Sequence, residues 1–536
     1  MRFRTGVSAT TLVLCAAFVG GSIGSTAAVA QAAPSCPTGI AGKDFASAAQ
    51  LRKLNTTMER FGVPRATGNT AHRRFVDWLG TELRKIPGVK VTSIPYRIKR
   101  WDAKAPKLTV DGASVPIAAV VPYSHGTPAA GVTAPLAYVP ADTEITAANA
   151  AGKIVVRDLP PGSVPNAVFQ PGVLGVALYD PMNTFAPTGT YERDFLKAAQ
   201  PELDAAGAAG AKALLFVRPL PRKQLKGFYA PYEGLVWKVP GLYLGADEGK
   251  RITDALATGK AVTGTVVLQA KRTPVTTRTL IATIPGQSAK RLVVDSHTDG
   301  TNAVEDNGPV AMLAMAKALA KRPKACREKT VELAMVTGHF YQHLLGTAVR
   351  DGGSEQIAIG LDRDYDKGKV AGVLVLEHLG ALAYDSVPRK DGGPGRELVR
   401  TERHEPALVA VSNSVPLRKL VVDTVTARKI DGTAVIVGAD APDPGRVPEH
   451  CSFGGEGTPY NHHILPTVAT IAAPNILFNP AFGVEGIDFT HMREQAVAYT
   501  DVLLAMGRMT QPDLAGQVTA DRAARKAGTP DCIPWS

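Results

Sequence analysis

The chain has 536 residues and a formal net charge of +12 at pH 7. This length exceeds what one ordinary hydrophobic core can organise, so at least two domains are expected. The basic side chains are scattered and are not interleaved with aromatic residues, which excludes a nucleic-acid-binding pattern. The positive charge suits contact with an anionic surface such as a cell wall, or it serves solubility alone.

The first residues are typical of an export signal. Two arginines precede an apolar stretch over residues 11–23, and small residues follow, with cleavage expected near Ala30 or Ala32. The apolar stretch is short and interrupted by glycines, which disfavours a membrane anchor, and Cys15 lies inside it rather than at a lipidation boundary. No later segment is long and apolar enough to cross a membrane. We therefore predict a signal peptide over residues 1–32 and a secreted, extracellular protein.

Four cysteines follow the predicted signal peptide. An even number in an exported chain indicates two disulfides, and four cysteines allow three pairings. Their spacing does not match that of zinc-binding cysteines, so a structural role is favoured. They are Cys36, Cys326, Cys451 and Cys532.

Residues 33–110 predict a helical start to the main domain. Two amphipathic helices are expected over Ser47–Met58 and Thr70–Lys85, each beginning with a hydroxyl side chain that can cap the helix. A short strand over Val89–Thr92 follows, and after it comes a passage rich in proline and lysine that ends near Lys107.

Residues 111–272 differ in composition and pattern, because short apolar runs alternate with turns rich in glycine, proline and alanine. This spacing favours a mainly β module. A small-residue stretch over residues 205–213 precedes the apolar run Leu214–Val217, and Pro240–Leu244 follows. That order resembles the protease-associated domain that is often inserted into secreted peptidases.

Residues 273–510 alternate between predicted strands and helices, and residues 511–536 form a polar tail. Such alternation predicts an α/β fold in which a mostly parallel central sheet is covered by helices on both faces. Ligands in these folds bind beyond the carboxyl ends of the strands. The predicted strands and helices are Leu292–Val294, Val310–Lys321, Val331–Val336, Val373–Leu376, Val468–Ile471 and Met492–Met506.

Residues of metal-ligand type follow several of these strands or lie in the adjoining loops. Any one of them is more often structural, but their convergence at one sheet edge favours a metal site. They are His297, Asp299, Glu305, Asp306, His339, His343, Glu377, His462 and His463. A serine nucleophile is disfavoured because no Gly-x-Ser-x-Gly turn is present.

Four segments make the likeness to a family specific. They are His297-x-Asp299, Asp306-Asn307-Gly308 at a helix start, Leu344-Leu345-Gly346-Thr347 after a strand, and Glu377 three residues before Gly380. Together they resemble the zinc aminopeptidase and glutamate carboxypeptidase family.

The resemblance implies a zinc exopeptidase-like fold and a site with two zinc ions bridged by an aspartate. In this sequence Asp306 would be the bridging ligand, His297 and Glu377 would complete one metal site, and Asp299 would orient His297. Manganese or cobalt would also suit these ligands. The implied substrates are peptides, or another small-molecule amide.

The second half of the family pattern is altered. Its two adjacent glutamates, one a base and one a ligand, fall on His339-Phe340-Tyr341, and its last histidine has no clear counterpart near Val484 or Glu485. In one interpretation histidines rebuild the site, with His339 and His343 as a ligand pair. The further ligand in that interpretation would be one of His462, His463 and His491.

In the other interpretation only the site of His297, Asp306 and Glu377 remains, and its single zinc lacks the usual base, which leaves a weak enzyme or a binding protein. His339 and Glu305 are the candidates for a substitute base. Glu305 is expected either to face the metal or to be a surface carboxylate, and His378 is expected to point away from Glu377 across the strand. We therefore predict a secreted zinc-dependent exopeptidase-like hydrolase with one or two ions. The alternative is an inactive peptidase-like binding protein with at most one metal.

Overall fold

The computed structural model describes residues 36–197, 199–230, 237–341, 352–438 and 451–528. The predicted signal peptide, His343, Leu344-Leu345-Gly346-Thr347 and Cys532 lie outside these residues. No helix in the described ranges combines the length and apolar character needed to span a membrane.

The α-helices of the described residues are given in chain order. They are α1 (Ala48–Glu59), α2 (Thr70–Arg84), α3 (Ala147–Ala150), α4 (Gln200–Ala208), α5 (Ala246–Ala257), α6 (Gly308–Lys321), α7 (Gly353–Asp366), α8 (Val415–Arg428), α9 (Gly457–His462), α10 (Phe489–Arg508), α11 (Gln511–Ala515) and α12 (Val518–Lys526).

The strands follow the same convention. They are β1 (Lys90–Val110), β2 (Ala113–Val115), β3 (Ala119–Val120), β4 (Val132–Tyr138), β5 (Ile154–Asp158), β6 (Gly162–Pro165), β7 (Gly175–Tyr179), β8 (Thr190–Arg193), β9 (Ala213–Val217), β10 (Gly241–Leu244), β11 (Thr263–Ile284), β12 (Ser288–His297), β13 (Lys329–Val336), β14 (Val370–Leu376), β15 (Leu382–Pro388), β16 (Arg396–His404), β17 (Ala407–Val411), β18 (Thr433–Ile436) and β19 (Thr467–Ala472).

The centre of the main sheet is parallel, as the sequence predicts. Strand β12 pairs in parallel with β13 on one side and β14 on the other, and β14 pairs in parallel with β19. Antiparallel strands continue the sheet on both sides of this centre. The structure is therefore an α/β fold with a large, mixed, mostly parallel central sheet.

Alternate residues of the central strands face different cores, which explains why these strands are apolar throughout. Leu292 and Val294 pack in the core that includes helix α6, whereas Val293 packs in a second core with Ala358 and Leu361 of α7. Helices on both faces thus bury the sheet.

Two long strands carry the sheet into residues 111–272. Strand β11 pairs with β13 near its carboxyl end and with β4 near its start, and β1 runs antiparallel to it over almost its whole length. Beyond β4, the strands β5, β9 and β10 pair in parallel. Strand β7 instead pairs with β18 at the far edge of the main sheet. The assignment of residues 111–272 to a protease-associated domain stays a prediction.

Several local expectations are confirmed and others are corrected. Helix α1 begins after a capping box at Ser47, as predicted. Helix α2 is capped by Asn69 rather than Thr70, because the Asn69 side chain accepts a hydrogen bond from the His72 amide at 2.8 Å. The strand predicted to end at Thr92 continues to Val110, since pairing with β11 overrides the poor strand propensity of its lysines and prolines.

A disulfide joins Cys36 to Cys326, and Cys451 is also disulfide-bonded, with its partner outside the described residues. The first bridge closes a sequence separation of 290 residues and ties the start of the described chain to the segment before β13. The predicted structural role of the cysteines is confirmed for this pair.

Candidate metal centre

The carboxyl ends of three neighbouring strands bring the candidate residues together. Strand β12 ends at His297, β13 leads to His339, and β14 leads to Glu377 and His378. Because these strands are parallel, their ends meet at the same edge of the sheet. Glu305 arrives from the loop between β12 and α6.

Five side chains form a buried group that we call the His–Glu cluster: His297, Glu305, His339, Glu377 and His378. His297 Nε2 lies 3.4 Å from Glu377 Oε2 and 3.9 Å from Glu305 Oε1. Glu305 Oε1 lies 3.8 Å from His339 Nε2 and 4.0 Å from His378 Nε2. Four of the side chains are at most 3% exposed, and His339 is 11% exposed.

Hydrogen bonds on the outer side of the cluster orient its histidines. His297 Nδ1 lies 2.8 Å from the Asp299 carbonyl oxygen, and His378 Nδ1 bonds the Ala472 carbonyl oxygen. A carbonyl oxygen can only accept, so each Nδ1 carries a proton, and in the neutral form of either ring the lone pair of Nε2 then faces inward. This is the tautomer that a metal ligand requires.

The carboxylates are held in the same way. Glu377 Oε1 accepts a hydrogen bond from the Glu456 amide at 2.8 Å, and Glu305 Oε2 accepts one from the Thr301 amide at 3.2 Å. In each case the other oxygen faces the imidazole rings. Every carboxylate of the cluster therefore presents one inward oxygen.

Three inward atoms have no hydrogen-bond partner among the described residues: His297 Nε2, Glu377 Oε2 and His378 Nε2. A buried polar atom left in this state costs about 1–3 kcal/mol. A cation bound between them would satisfy all three. Imidazole nitrogens and carboxylate oxygens are ligands that zinc accepts, and other divalent metals accept them too.

Burial and the mutual fields shift the pKa values in this cluster. Burial raises the pKa of Glu305 to about 8 and lowers the pKa of His378 to about 4. Burial also acts to lower the pKa of His297, but the carboxylates of Glu305 and Glu377 outweigh it and raise that pKa well above its ordinary value. The carboxylates thus favour a positive charge at the centre of the cluster.

Two glycines allow backbone to pack directly against the carboxylates. A Cβ atom at Gly455, where φ is +49°, would overlap Glu377 Oε1. A Cβ atom at Gly300 would overlap Glu305 Oε2 and Asp306. Both loops are therefore closely fitted to the cluster.

Asp299 holds the loop that carries His339. Its carboxylate accepts hydrogen bonds from the amides of Gly338 at 3.2 Å and Phe340 at 3.0 Å, and from the hydroxyl of Thr67. The expected contact with His297 is made by the backbone carbonyl of Asp299 and not by its side chain.

Asp306, expected to bridge two metal ions, instead binds Arg65 with both of its carboxylate oxygens. The guanidinium of Arg65 donates to both of its oxygens, from Nη2 at 2.7 Å and from Nε. The two groups of described residues that could hold an ion contain His297 with Glu305 and His378, or His297 with His339 and Glu377, and neither includes Asp306.

The other candidate histidines lie outside the cluster. His463 contacts Glu355 and Asp362 of α7, and His491 stacks on His404 with ring centroids 3.7 Å apart. His462 is the last residue of α9. None of the three belongs to a group of described residues that could hold an ion.

Sequence reasoning missed His378 and Glu456. His378 has a φ of +58°, so the alternation of a strand no longer applies and its ring joins Glu377 instead of pointing away. Glu456, which hydrogen-bonds His339 Nδ1 through its side chain, gave no ligand-type signal in the sequence. Glu305 was expected either inward or on the surface, and it is buried.

No protein-family profile and no curated protein sequence matches the chain. Solved structures do match it. A zinc aminopeptidase from Bacillus subtilis superposes with a TM-score of 0.59 at 15% identity, covering 88% of this chain and 98% of that one. The chain has the fold of a zinc aminopeptidase.

Two further structures support the same fold. An aminopeptidase from Aneurinibacillus sp. strain AM-1 has a TM-score of 0.53 at 14% identity, covering 86% of this chain and 95% of that one. A peptidase precursor from Shewanella amazonensis has a TM-score of 0.58 at 16% identity, covering 86% of this chain and 96% of that one. At these identities the likeness establishes the fold and leaves the chemistry to the site.

Proposed function

We propose that the protein is a secreted, metal-dependent hydrolase that removes terminal residues from peptides, with zinc as its metal. The observation that supports this most directly is the His–Glu cluster, in which three buried ligand atoms without hydrogen-bond partners converge at the carboxyl ends of the strands. The fold of zinc aminopeptidases and the predicted signal peptide agree with this proposal.

His297, His378 and Glu377 would hold the ion, because their inward atoms have no hydrogen-bond partner among the described residues. Glu377 Oε2 lies 3.4 Å from His297 Nε2 and 4.0 Å from His378 Nε2, so this set combines ligands of the two groups that share His297. A zinc ion supplies Lewis-acid polarisation of a scissile carbonyl. Two nitrogen ligands and one carboxylate leave a fourth position open, as in catalytic zinc sites. The substrate is a peptide or another small-molecule amide.

The remaining two residues of the cluster are placed for proton transfer. Glu456 bonds Nδ1 of His339 and so fixes the direction of its Nε2, which lies 3.8 Å from Glu305 Oε1. Burial raises the pKa of Glu305 to about 8, so this carboxyl can hold a proton near neutral pH. Neutral His339 would accept a proton through Nε2 from a group bound in the cluster, and the protonated Glu305 carboxyl would donate its own proton to the leaving group.

One observation favours a second candidate, a binding protein without catalysis. Phe340 follows His339 where the related pattern has carboxylates, and its aromatic ring cannot move a proton. The protein would then hold at most one metal ion and bind peptides without cleaving them.

Hydrolysis assays separate the two candidates. Purified mature protein loaded with zinc is incubated with short peptides, and the products are identified by mass spectrometry, which also shows which terminus is removed. We expect cleavage that EDTA abolishes, that His297→Ala eliminates and that His491→Gln, a histidine outside the cluster, retains. Zinc binding without cleavage of any peptide would support the binding protein, and no zinc binding would reject the proposal.

A further inference from the structure

Arg65 is a buried cation beside the His–Glu cluster. It lies in the loop between α1 and α2 and is fully buried. Its amide donates to the Gly300 carbonyl at 2.7 Å, and the Gly300 amide donates back at 3.2 Å. This pair of backbone hydrogen bonds fixes Arg65 to the loop that leads from His297 to Glu305.

All three nitrogens of the Arg65 side chain donate hydrogen bonds. Its Nε and Nη2 donate to the two oxygens of Asp306, and its Nη1 donates to the Gly62 carbonyl at 2.8 Å. This is the bidentate geometry in which a guanidinium and a carboxylate bind most strongly. Both side chains are 0% exposed, so no water screens the pair.

Arg65 supplies the counter-charge of Asp306, so this buried carboxylate needs no metal ion to neutralise it. A second divalent ion at Asp306 would lie against the guanidinium in a buried site, where like charges repel strongly.

We propose that Arg65 acts as a built-in cation that occupies Asp306 and restricts the cluster to one divalent ion held without Asp306. This inference rests on the metal site of the proposed function. The number of bound ions then depends on one arginine, which lies 241 positions before Asp306 in the sequence.

The test counts bound zinc by native mass spectrometry of the full mature protein. We expect one ion in the wild type and a second ion in Arg65→Met, which frees the Asp306 carboxylate. The double variant Arg65→Met/Asp306→Asn should bind one ion, with an affinity within about threefold of wild type, since no ligand is lost. Arg157→Met, which breaks an Arg157–Glu202 ion pair of 2.8 Å on β5, is the matched control and should leave the count at one.

Several results would overturn the inference. They are two ions in the wild type, one ion in a folded Arg65→Met, or a loss of affinity of more than about tenfold in the double variant. If Arg65→Met does not fold because it leaves a buried carboxylate unpaired, the double variant carries the test, because its amide needs no counter-charge.

The outcome is distinguishable from that of the hydrolase proposal. One ion without peptide cleavage supports the role of Arg65 and rejects the hydrolase. Two ions with cleavage do the opposite. A wild-type protein that binds no zinc contradicts both.

Discussion

His463 joins two helices through ion pairs, and replacing it should weaken the fold in a pH-dependent way. Its Nε2 lies 2.7 Å from Glu355 and its Nδ1 lies 3.0 Å from Asp362, and Arg522 of α12 contacts the same aspartate at 2.6 Å. Burial acts to lower the pKa of His463, but the hydrogen bonds to Asp362 and Glu355 outweigh it and raise the pKa to about 9.

The direction of the pH dependence follows from linkage. The folded protein binds the His463 proton more tightly than the unfolded chain, whose histidine keeps a pKa near 6.5. The stabilisation is therefore complete below about pH 6.5 and is lost as the pH rises through about 9. The shift corresponds to at most about 3 kcal/mol, and exposure of a fifth of the ring reduces this to roughly 1–2 kcal/mol.

The assay is urea unfolding of His463→Gln and of wild type between about pH 6 and about pH 10. The two proteins differ in one titratable group, the imidazole of His463. We expect the variant to be less stable by about 1–2 kcal/mol near pH 6 and the gap to close near pH 10. His125→Gln, which replaces an exposed histidine, should show no gap. A gap for His463→Gln that is the same at both ends, or that widens with pH, would refute the reasoning.

Three other predictions concern the cluster and the disulfide. Gly455→Ala should cost about 1–3 kcal/mol and weaken zinc binding, because a left-handed residue gains a Cβ that overlaps Glu377; thermal melting with and without zinc measures both effects. His378→Gln should reduce zinc affinity by more than about 100-fold in a chelator competition, whereas an unchanged affinity would remove His378 from the ligand set. Replacing both Cys36 and Cys326 with serine should lower the unfolding free energy by about 3–5 kcal/mol, because the bridge closes a long loop; a loss below about 1 kcal/mol would contradict this.

The central sheet was predictable because local pattern and tertiary environment agree there. A parallel strand buried on both faces has to be apolar throughout, so Leu292–Val294 and Val373–Leu376 stand out without any structure. The chain direction then requires polar residues such as His297 and Glu377 to appear where those strands end.

The predictions became weaker where the backbone leaves a regular element. His378 was expected on the far side of its strand, but the strand ends at Leu376 and the left-handed turn at His378 reverses the expected direction of its ring. Asn307 stands at the N-cap position of α6, where an asparagine side chain commonly caps the helix, but its side-chain amide instead exchanges two hydrogen bonds with the backbone of Leu379. In both cases a contact from another part of the chain replaced the local preference.

The sequence alone determines the parallel sheet, the helices that cover it and the edge at which His297 and Glu377 lie, because the spacing of apolar residues and the alternation of strands and helices can be seen along the chain. The sequence does not show which charges lie together at that edge. Arg65 reaches Asp306 across 241 residues, and Glu456 reaches Glu377 across 79. Burial makes both contacts strong, because a carboxylate removed from water must find a donor or a cation close by. Which carboxylate receives an arginine and which is left for a metal therefore depends on the folded arrangement of distant loops.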